Sequence, residues 1–413
     1  MQQSGTQIER GTREYRRANL ALFIAGLVTF STLYTVQPLL PLFVTEFDVA
    51  PATASLALSV ATFALAWTLP ASGTLSDALG RRKLMGIALV LTALLALASA
   101  ASTTLPALLL LRLVQGAVLA GVPAVAMAYL NDEMSPRAIG AAMGLYIAGN
   151  ACGGMTGRIL TAVLADVLPW RSAVAVIGLL ALVMSILFWL LLPPSRHFER
   201  RPFHIGPLTS SLIGHLREPG LLCLFTLAFL LMGGFVTLYN YITFHLLAPP
   251  YDLSQSQVAL IFLAYAFGAV GSSLMGGMVV RIGRQRILYA ALAIMTAGAM
   301  LTLLTSLAAI IIGVVIFTAG FFGAHAVASA WVGTRAATAR AQASSLYLLG
   351  YYLGSSVSGT GGGIIWSVWG WTGVIALIVG LLGAAGVVIL ILTSLPPQEE
   401  FPPSRPVYGP AAE

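Results

Sequence analysis

Two arginines and one histidine stand where the surrounding sequence leaves little room for charge. Arg112 lies in "LPALLLLRLVQGAVLAG", Arg158 in "GNACGGMTGRILTAVLAD" and His325 in "GFFGAHAVAS". A guanidinium at the centre of a lipid-spanning helix costs roughly 2.5–3.5 kcal/mol on insertion scales, so it needs a reason to be there. Two such groups at one depth would make an anion clamp, because guanidinium grips carboxylate or phosphate through paired hydrogen bonds. The competing reading is structural: either arginine pairs with a nearby acid or reaches outward to the interface. His325 carries the side chain whose ordinary pKa of about 6.5 suits a proton carrier. A lone His among Gly and Ala is, however, more often a satisfied packing residue. The fourteen acids fall in loops, tails or helix ends, and Asp166, two turns beyond Arg158, comes nearest to an apolar run. His197, His204, His215 and His245 fall in loops or at helix ends and read as surface residues.

Polar and aromatic residues add a second set of candidates. Tyr34 and Gln37 stand one turn apart in the first apolar run, Tyr239, Asn240 and Thr243 occupy the related stretch of the seventh, Asn150 sits in the fifth, and Tyr347 and Tyr351 sit in the eleventh. An apolar cavity with a few converging polar groups suits a small amphipathic ligand. Taken singly, each tyrosine reads equally well as packing. Gly149, Gly153 and Gly157, and Gly268 with Gly271, would let helices approach closely. Pro38 and Pro41 are expected to bend the first helix. Cys152 and Cys223 fall inside apolar runs and read as small buried hydrophobes. No metal-ligand spacing, disulfide framework or cofactor motif is present.

The elements that must hold these residues follow from composition. Of 413 residues 58% are apolar and 8% charged, with a mean hydropathy of +0.91; soluble domains carry about 25% charge. Runs near the ~20 residues that cross a bilayer recur twelve times, starting near Ala18, Ser55, Leu84, Pro106, Ala138 and Arg171, then Leu221, Val258, Ile287, Ala308, Ala341 and Trp371. Alternation of polar and apolar residues, which a membrane barrel needs, is absent, so helices must span. The amino-terminal "MQQSGTQIERGTREYRRANL" is basic and leads into an apolar run too long for a cleaved signal. With that end inside, 18 of the 21 Lys and Arg fall on the inner side, only Arg171 falls outside, and Arg112 and Arg158 lie within spans. The net charge of +7 therefore belongs to loops beside anionic lipid rather than to a nucleic-acid surface. Nothing resembles G-x-x-x-x-G-K-[ST], and the inner loops are too short for a catalytic domain, which argues against an ATP-driven pump and an enzyme.

The chain also repeats itself. "FSTLY" from Phe30 recurs as "FVTLY" from Phe235 at an offset of 205, "GLYIAG" from Gly144 as "SLYLLG" from Ser345 at 201, Trp170 as Trp371 at 201, and Gly80-Arg81 as Gly283-Arg284 at 203. The only long polar interruption, residues 195–220, lies between the copies. The expected organisation is a tail over 1–17, a six-helix bundle over 18–194, an inner loop over 195–220, a second bundle over 221–395 and a tail over 396–413. Parallel repeats of this kind enclose a cavity that opens to either side by rocking.

One stretch carries a family resemblance. In "GTLSDALGRRK", the residues Gly73, Leu75, Asp77, Gly80, Arg81, Arg82 and Lys83 reproduce the G-x-L-x-D-x-x-G-R-R-K signature of the major facilitator superfamily. "RLVQG", with Arg112 and Gln115, resembles that superfamily's helix 4 pattern, and "GNACGG" resembles its helix 5 antiporter pattern with Asn150 in place of Pro. The chain as a whole resembles the bacterial twelve-helix drug- or arabinose-efflux branch. The resemblance implies an all-α membrane protein with twelve transmembrane helices in two pseudo-twofold related six-helix bundles, acting as a monomer in the inner membrane with both termini cytoplasmic. It implies a secondary transporter without cofactor or metal, exporting a small organic solute in exchange for protons, with Arg112 in a proton relay. It also implies that Asp77 joins the halves at the inner face, near the start of helix 11 and Arg340, when that face is shut. A carboxylate so placed gains about 0.3–2 kcal/mol. Val280 stands at the matching position of the second copy. The alternatives are an organic-anion carrier built on Arg112 and Arg158, and a transporter-like sensor.

Overall fold

The computed structural model describes residues 7–198, 205–336 and 338–396. Nine helical stretches among them are long and apolar enough to cross a membrane. One of these, Arg340–Ser394, is 55 residues long, and at about 1.5 Å per residue it would far exceed a hydrocarbon core of about 30 Å. It breaks at Gly370, whose φ of 58° and ψ of −150° suit a residue without Cβ, and it contains two crossings. The return is visible in the hydrogen bonds from Tyr289 Oη to the Gly386 carbonyl (3.1 Å) and from Gln285 Nε2 to Thr393 Oγ1 (3.2 Å). Ile139–Val167 and Arg284–Leu301 complete the set of twelve.

The spans are 1 (Arg13–Phe47), 2 (Pro51–Leu79), 3 (Arg81–Ala100), 4 (Leu105–Glu133), 5 (Ile139–Val167) and 6 (Trp170–Leu191) in the first half. In the second they are 7 (Pro219–Leu247), 8 (Gln255–Ile282), 9 (Arg284–Leu301), 10 (Leu307–Arg335), 11 (340–369) and 12 (371–394). A short helix, Ile205–Leu216, lies in the connection between halves. Span 1 starts five residues before the apolar run, and residues 7–17 are not a loose tail: Ile8 donates its N–H to the Glu133 carbonyl at 2.8 Å.

Local chemistry explains the irregular spans. Pro38 and Pro41 lack the N–H groups that would continue the ladder, so span 1 divides into Arg13–Tyr34, a 3-10 turn Gln37–Leu39 and Leu40–Phe47. The carbonyls of the last turn before Thr35 are thereby left needing donors. Gly80 and Gly283, with φ of 97° and 89°, make the same hairpin turn after spans 2 and 8. An L-residue there is strained, which gives the repeated Gly-Arg pair its physical reason. The glycines of span 5 also do what their spacing suggested: a Cβ at Gly149, Gly153 or Gly157 would come within 2.5 Å of the span 1 backbone at Phe23, Leu27 or Ser31. Gly268 and Gly271 seat span 8 against Phe322 and Ala319 of span 10 in the same way.

The bundle has a basic face, with the turns at Gly80 and Gly283 and the start of span 11, and a far face, with the turns after spans 1, 3 and 5. Hydrogen bonds between the halves, among the described residues, lie toward the far face. Thr62 and Ser59 of span 2 bond Ser356 and Thr360 of span 11, at 2.8 Å for Thr62–Ser356 and 2.9 Å for Ser59–Thr360. The buried core tells the same story. On the far side Leu33, Phe43, Leu58 and Leu65 merge with the core of the second half, whereas Ala25, Met85, Tyr129 and Phe188 form a separate cluster on the basic side. The halves are therefore joined at the far face and parted toward the basic one.

Candidate transport site

The first-half signature sits at the parted side. Asp77 pairs with Arg81 at 3.1 Å, and Arg81 also reaches Ser76 (2.9 Å) and Asp132 of span 4. The expected contact of Asp77 with the start of span 11 is not made in this conformation, because the halves stand apart there and the carboxylate is held by its own half. Arg340 begins span 11 exposed to solvent. Arg82 donates to the Trp189 carbonyl at 2.7 Å, Arg284 lies over the Trp331 ring at 5.6 Å, Lys83 and Leu75 are exposed, and a Cβ at Gly73 would meet nothing within 4 Å. The signature thus ties spans 2, 3, 4 and 6 of one half together.

Arg112 is fully buried, and all three nitrogens of its guanidinium are hydrogen-bonded. Nε donates to the Ala57 carbonyl (2.9 Å), Nη1 to the Thr32 carbonyl (3.0 Å) and Gln115 Oε1 (2.5 Å), and Nη2 to the Leu33 carbonyl (2.5 Å). Gln115 in turn donates to the Thr92 carbonyl at 3.1 Å. The carbonyls freed where span 1 breaks are the ones this side chain satisfies, so a cation meets the negative end of a helix dipole. Arg112 neither pairs with an acid nor snorkels; it ties spans 1, 2 and 4.

Arg158 lies on the other side of the same break and is 1% exposed. Its Nε donates to Gln37 Oε1 and its Nη1 to the Gly154 carbonyl, both at 2.5 Å. Three ring faces surround it, with centroids at 3.8 Å for Tyr34, 4.9 Å for Tyr265 and 5.3 Å for Phe262. Aromatic faces attract a desolvated cation by about 2 kcal/mol or more. No acid among the described residues lies within ion-pair distance of Arg112 or Arg158. The two arginines therefore share a level but do not form a clamp, since only Arg158 faces the other half.

From Arg158 an aromatic wall runs down the second half toward the basic face. Tyr265 meets Phe235 at 5.5 Å, Phe235 stacks on Phe321 at 3.8 Å, Phe321 lies 6.0 Å from His325, and His325 lies 4.9 Å from Tyr351. His325 Nδ1 is bonded to Tyr347 Oη at 3.0 Å, which joins spans 10 and 11. Tyr265, His325 and Tyr351 keep partial exposure. Tyr351 and His325 were site candidates from the sequence, whereas Tyr265 and Phe321 were not and Phe235 entered only as part of a repeat; in a chain this apolar, an aromatic on the cavity side of a span carries no mark distinguishing it from one facing lipid.

The remaining candidates separate. Gln37 Nε2 donates to Asn240 Oδ1 across the halves at 2.7 Å. Tyr239 is turned into its own half, bonded to Thr318 at 2.7 Å, and Thr243 bonds back to the Asn240 carbonyl at 2.8 Å. Asn150 lies against Gly26 with its Oδ1 buried and without a hydrogen-bond partner among the described residues. The histidines read as surface residues do more than that: His215 is buried with Nε2 3.3 Å from the Ala339 carbonyl, His197 Nδ1 lies 3.1 Å from Glu133, and His245 stacks on Trp371 at 5.0 Å. His204 lies outside the described residues. The hydroxyls Ser59, Thr62, Ser356 and Thr360 were missed, although their spacing of three and four residues in spans 2 and 11 was a usable signal.

The family model described as Major Facilitator Superfamily matches residues 22–334 and 246–412. This chain belongs to the Major Facilitator Superfamily. It is 48% identical over 377 residues, 91% of its length and 93% of the relative's, to the uncharacterized MFS-type transporter YybF of Bacillus subtilis (strain 168). It is 46% identical over 377 residues, 91% of its length and 90% of the relative's, to the inner membrane transport protein YnfM of Escherichia coli (strain K12). Among solved structures, the nucleoside transporter NupG superposes with a TM-score of 0.75 at 14% identity, covering 91% of this chain and 99% of that one. A bacterial homolog of the human lysosomal transporter Spinster gives 0.73 at 15% identity, covering 93% and 98%. As a member of the Major Facilitator Superfamily the chain is a multi-pass membrane transporter, not an enzyme, and it has the major facilitator fold.

Proposed function

We propose that this transporter exports a small organic anion across the cytoplasmic membrane by alternating access. The observation that carries the anion reading is Arg158, a buried cation at the junction of the halves with aromatic faces and one amide around it but no acid among the described residues within ion-pair distance. An uncompensated buried charge raises the affinity of its cavity for the opposite sign. The aromatic wall below it suits a ring or alkyl body attached to that charge. The bias of Lys and Arg makes the basic face cytoplasmic, with both termini on that side, so the conformation described is open to the cytoplasm. Export rests on the likeness of the Gly149–Gly154 stretch to an antiporter pattern. For exchange against protons, the His325–Tyr347 pair is the titratable group placed in the wall, and Arg112 serves the cavity by holding spans 1, 2 and 4.

Proteoliposomes with an imposed pH gradient test this reading. Benzenesulfonate and phenyl phosphate, which stay ionised and cross lipid poorly, are expected to be transported, and benzenesulfonamide is not. Arg158→Gln should cut anion flux at least about tenfold, as expected when a buried charge loses its partner. Equal anion flux in Arg158→Gln and parent would overturn the anion reading. His325→Gln should leave downhill flux intact and abolish its dependence on the pH gradient. No movement of any solute under any gradient would favour a sensor.

A further inference from the structure

We infer that Gln37 is the link by which an anion arriving at Arg158 releases the far-face seam, an inference that rests on the anion reading above. One side-chain amide serves both contacts. Arg158 can only donate, so it must face Oε1 of Gln37, at 2.5 Å. That leaves only Nε2 for the other half, where it donates to Asn240 Oδ1 at 2.7 Å. Asn240 therefore presents its oxygen to Gln37, and its Nδ2 is left buried without an acceptor among the described residues. Both side chains are completely buried. The polarity of the whole chain from span 5 through span 1 to span 7 is thus dictated by the guanidinium.

An anion is a stronger acceptor than a neutral amide, so it would take the Nε edge of Arg158 from Gln37. The freed amide then has no partner fixing its orientation, and the hydrogen bond to Asn240 is lost with it. Gln37 also opens the 3-10 turn Gln37–Leu39, the irregular joint of span 1, where backbone adjustment disturbs no regular ladder. Gln37 is accordingly a positioning residue that converts occupancy of Arg158 into loosening of spans 1 and 7.

The test reads the distance between spin labels at Thr103→Cys and Ser306→Cys, exposed far-face positions of the two halves, with Cys152 and Cys223 replaced by serine. Gln37→Met removes both bonds, and without any added anion it should raise the far-open population about three- to tenfold, the effect of one net hydrogen bond. Gln37→Glu supplies an internal anion to Arg158, and Asn240 can turn its idle Nδ2 toward it. The far-open population should then fall, and benzenesulfonate should no longer change it. Asn240→Leu serves as a second opener should Gln37→Met fail to fold, since it breaks the seam bond and leaves Gln37 on Arg158.

Opposite shifts in the opener and Gln37→Glu support the inference. An opener at the parent distribution, or shifts of the same sign in both, overturns it. The two readings fail differently: opposite shifts together with a parent that ignores both benzenesulfonate and phenyl phosphate would sink the anion reading, and the anion as trigger with it, while the tie from Arg158 through Gln37 to the seam would stand.

Discussion

Oδ2 of Asp166 lies 2.7 Å from the backbone nitrogen of Ser256, and its Oδ1 lies 2.9 Å from that of Gln255. A carboxylate at the end of span 5 thereby caps the first turn of span 8 in the other half, where free N–H groups and the positive end of the helix dipole meet it. Asp77 mirrors it on the basic side, drawn into its own half while that side is open.

The two acids should act in opposite directions. Asp166→Asn keeps the shape and loses the charge, so the far-open population should rise about two- to fivefold, matching about 0.5–1 kcal/mol for a charge at a helix terminus. We propose that Asp77 meets the start of span 11 when the basic face shuts; on that proposal Asp77→Asn should lower the far-open population, because that contact outweighs the partly exposed Arg81 pair lost from the present conformation. Distances between labels at Thr103 and Ser306 check both, and an unchanged distribution in Asp166→Asn would reduce that contact to a consequence of closure.

Arg112→Ala should cost stability before it costs transport. It strips donors from three buried carbonyls and from Gln115 at once, and each unsatisfied group costs about 1–3 kcal/mol. A markedly lower thermal midpoint in detergent is expected. Arg112→Lys should not restore it, since one ammonium cannot span carbonyls on two helices.

Acid should weaken the second half through Glu218. Burial works to raise the pKa of this carboxylate, but the Arg335 hydrogen bonds and the N–H groups of Leu221 and Gly220 outweigh it and hold the group below its ordinary value. A depressed folded-state pKa contributes stability above the unfolded value, about 4.3, that is lost as pH falls through the folded one. The thermal midpoint should therefore drop below about pH 4, and Glu218→Gln should flatten that drop while lowering the midpoint at neutral pH.

Gly153→Val tests one of the close helix contacts. A Cβ there would lie 2.4 Å from the Leu27 carbonyl oxygen, and overpacking of this kind costs about 1–3 kcal/mol. Gly144→Val, where a Cβ would meet nothing within 4 Å, should leave the midpoint unchanged.

Much of the architecture was legible from residues alone, because lipid imposes a length and a polarity that composition must obey. Twelve runs and the Gly80 and Gly283 turns all follow from local rules: apolar length, proline and glycine geometry, and basic side chains kept on one side of the membrane. The glycine ladder of span 5 was legible for the same reason, since its spacing puts every member on one helix face.

Pairings across helices were decided only by the tertiary structure. Arg112 and Arg158 look alike in sequence, each a lone cation in an apolar run, yet one satisfies the carbonyls of a broken helix and the other faces Gln37 and three rings across the seam. Asp77 and Asp166 differ again by which side of the molecule is shut. Sequence sets what a side chain can donate, accept or carry; which partner it meets depends on how two half-molecules tilt, and no local pattern encodes that angle.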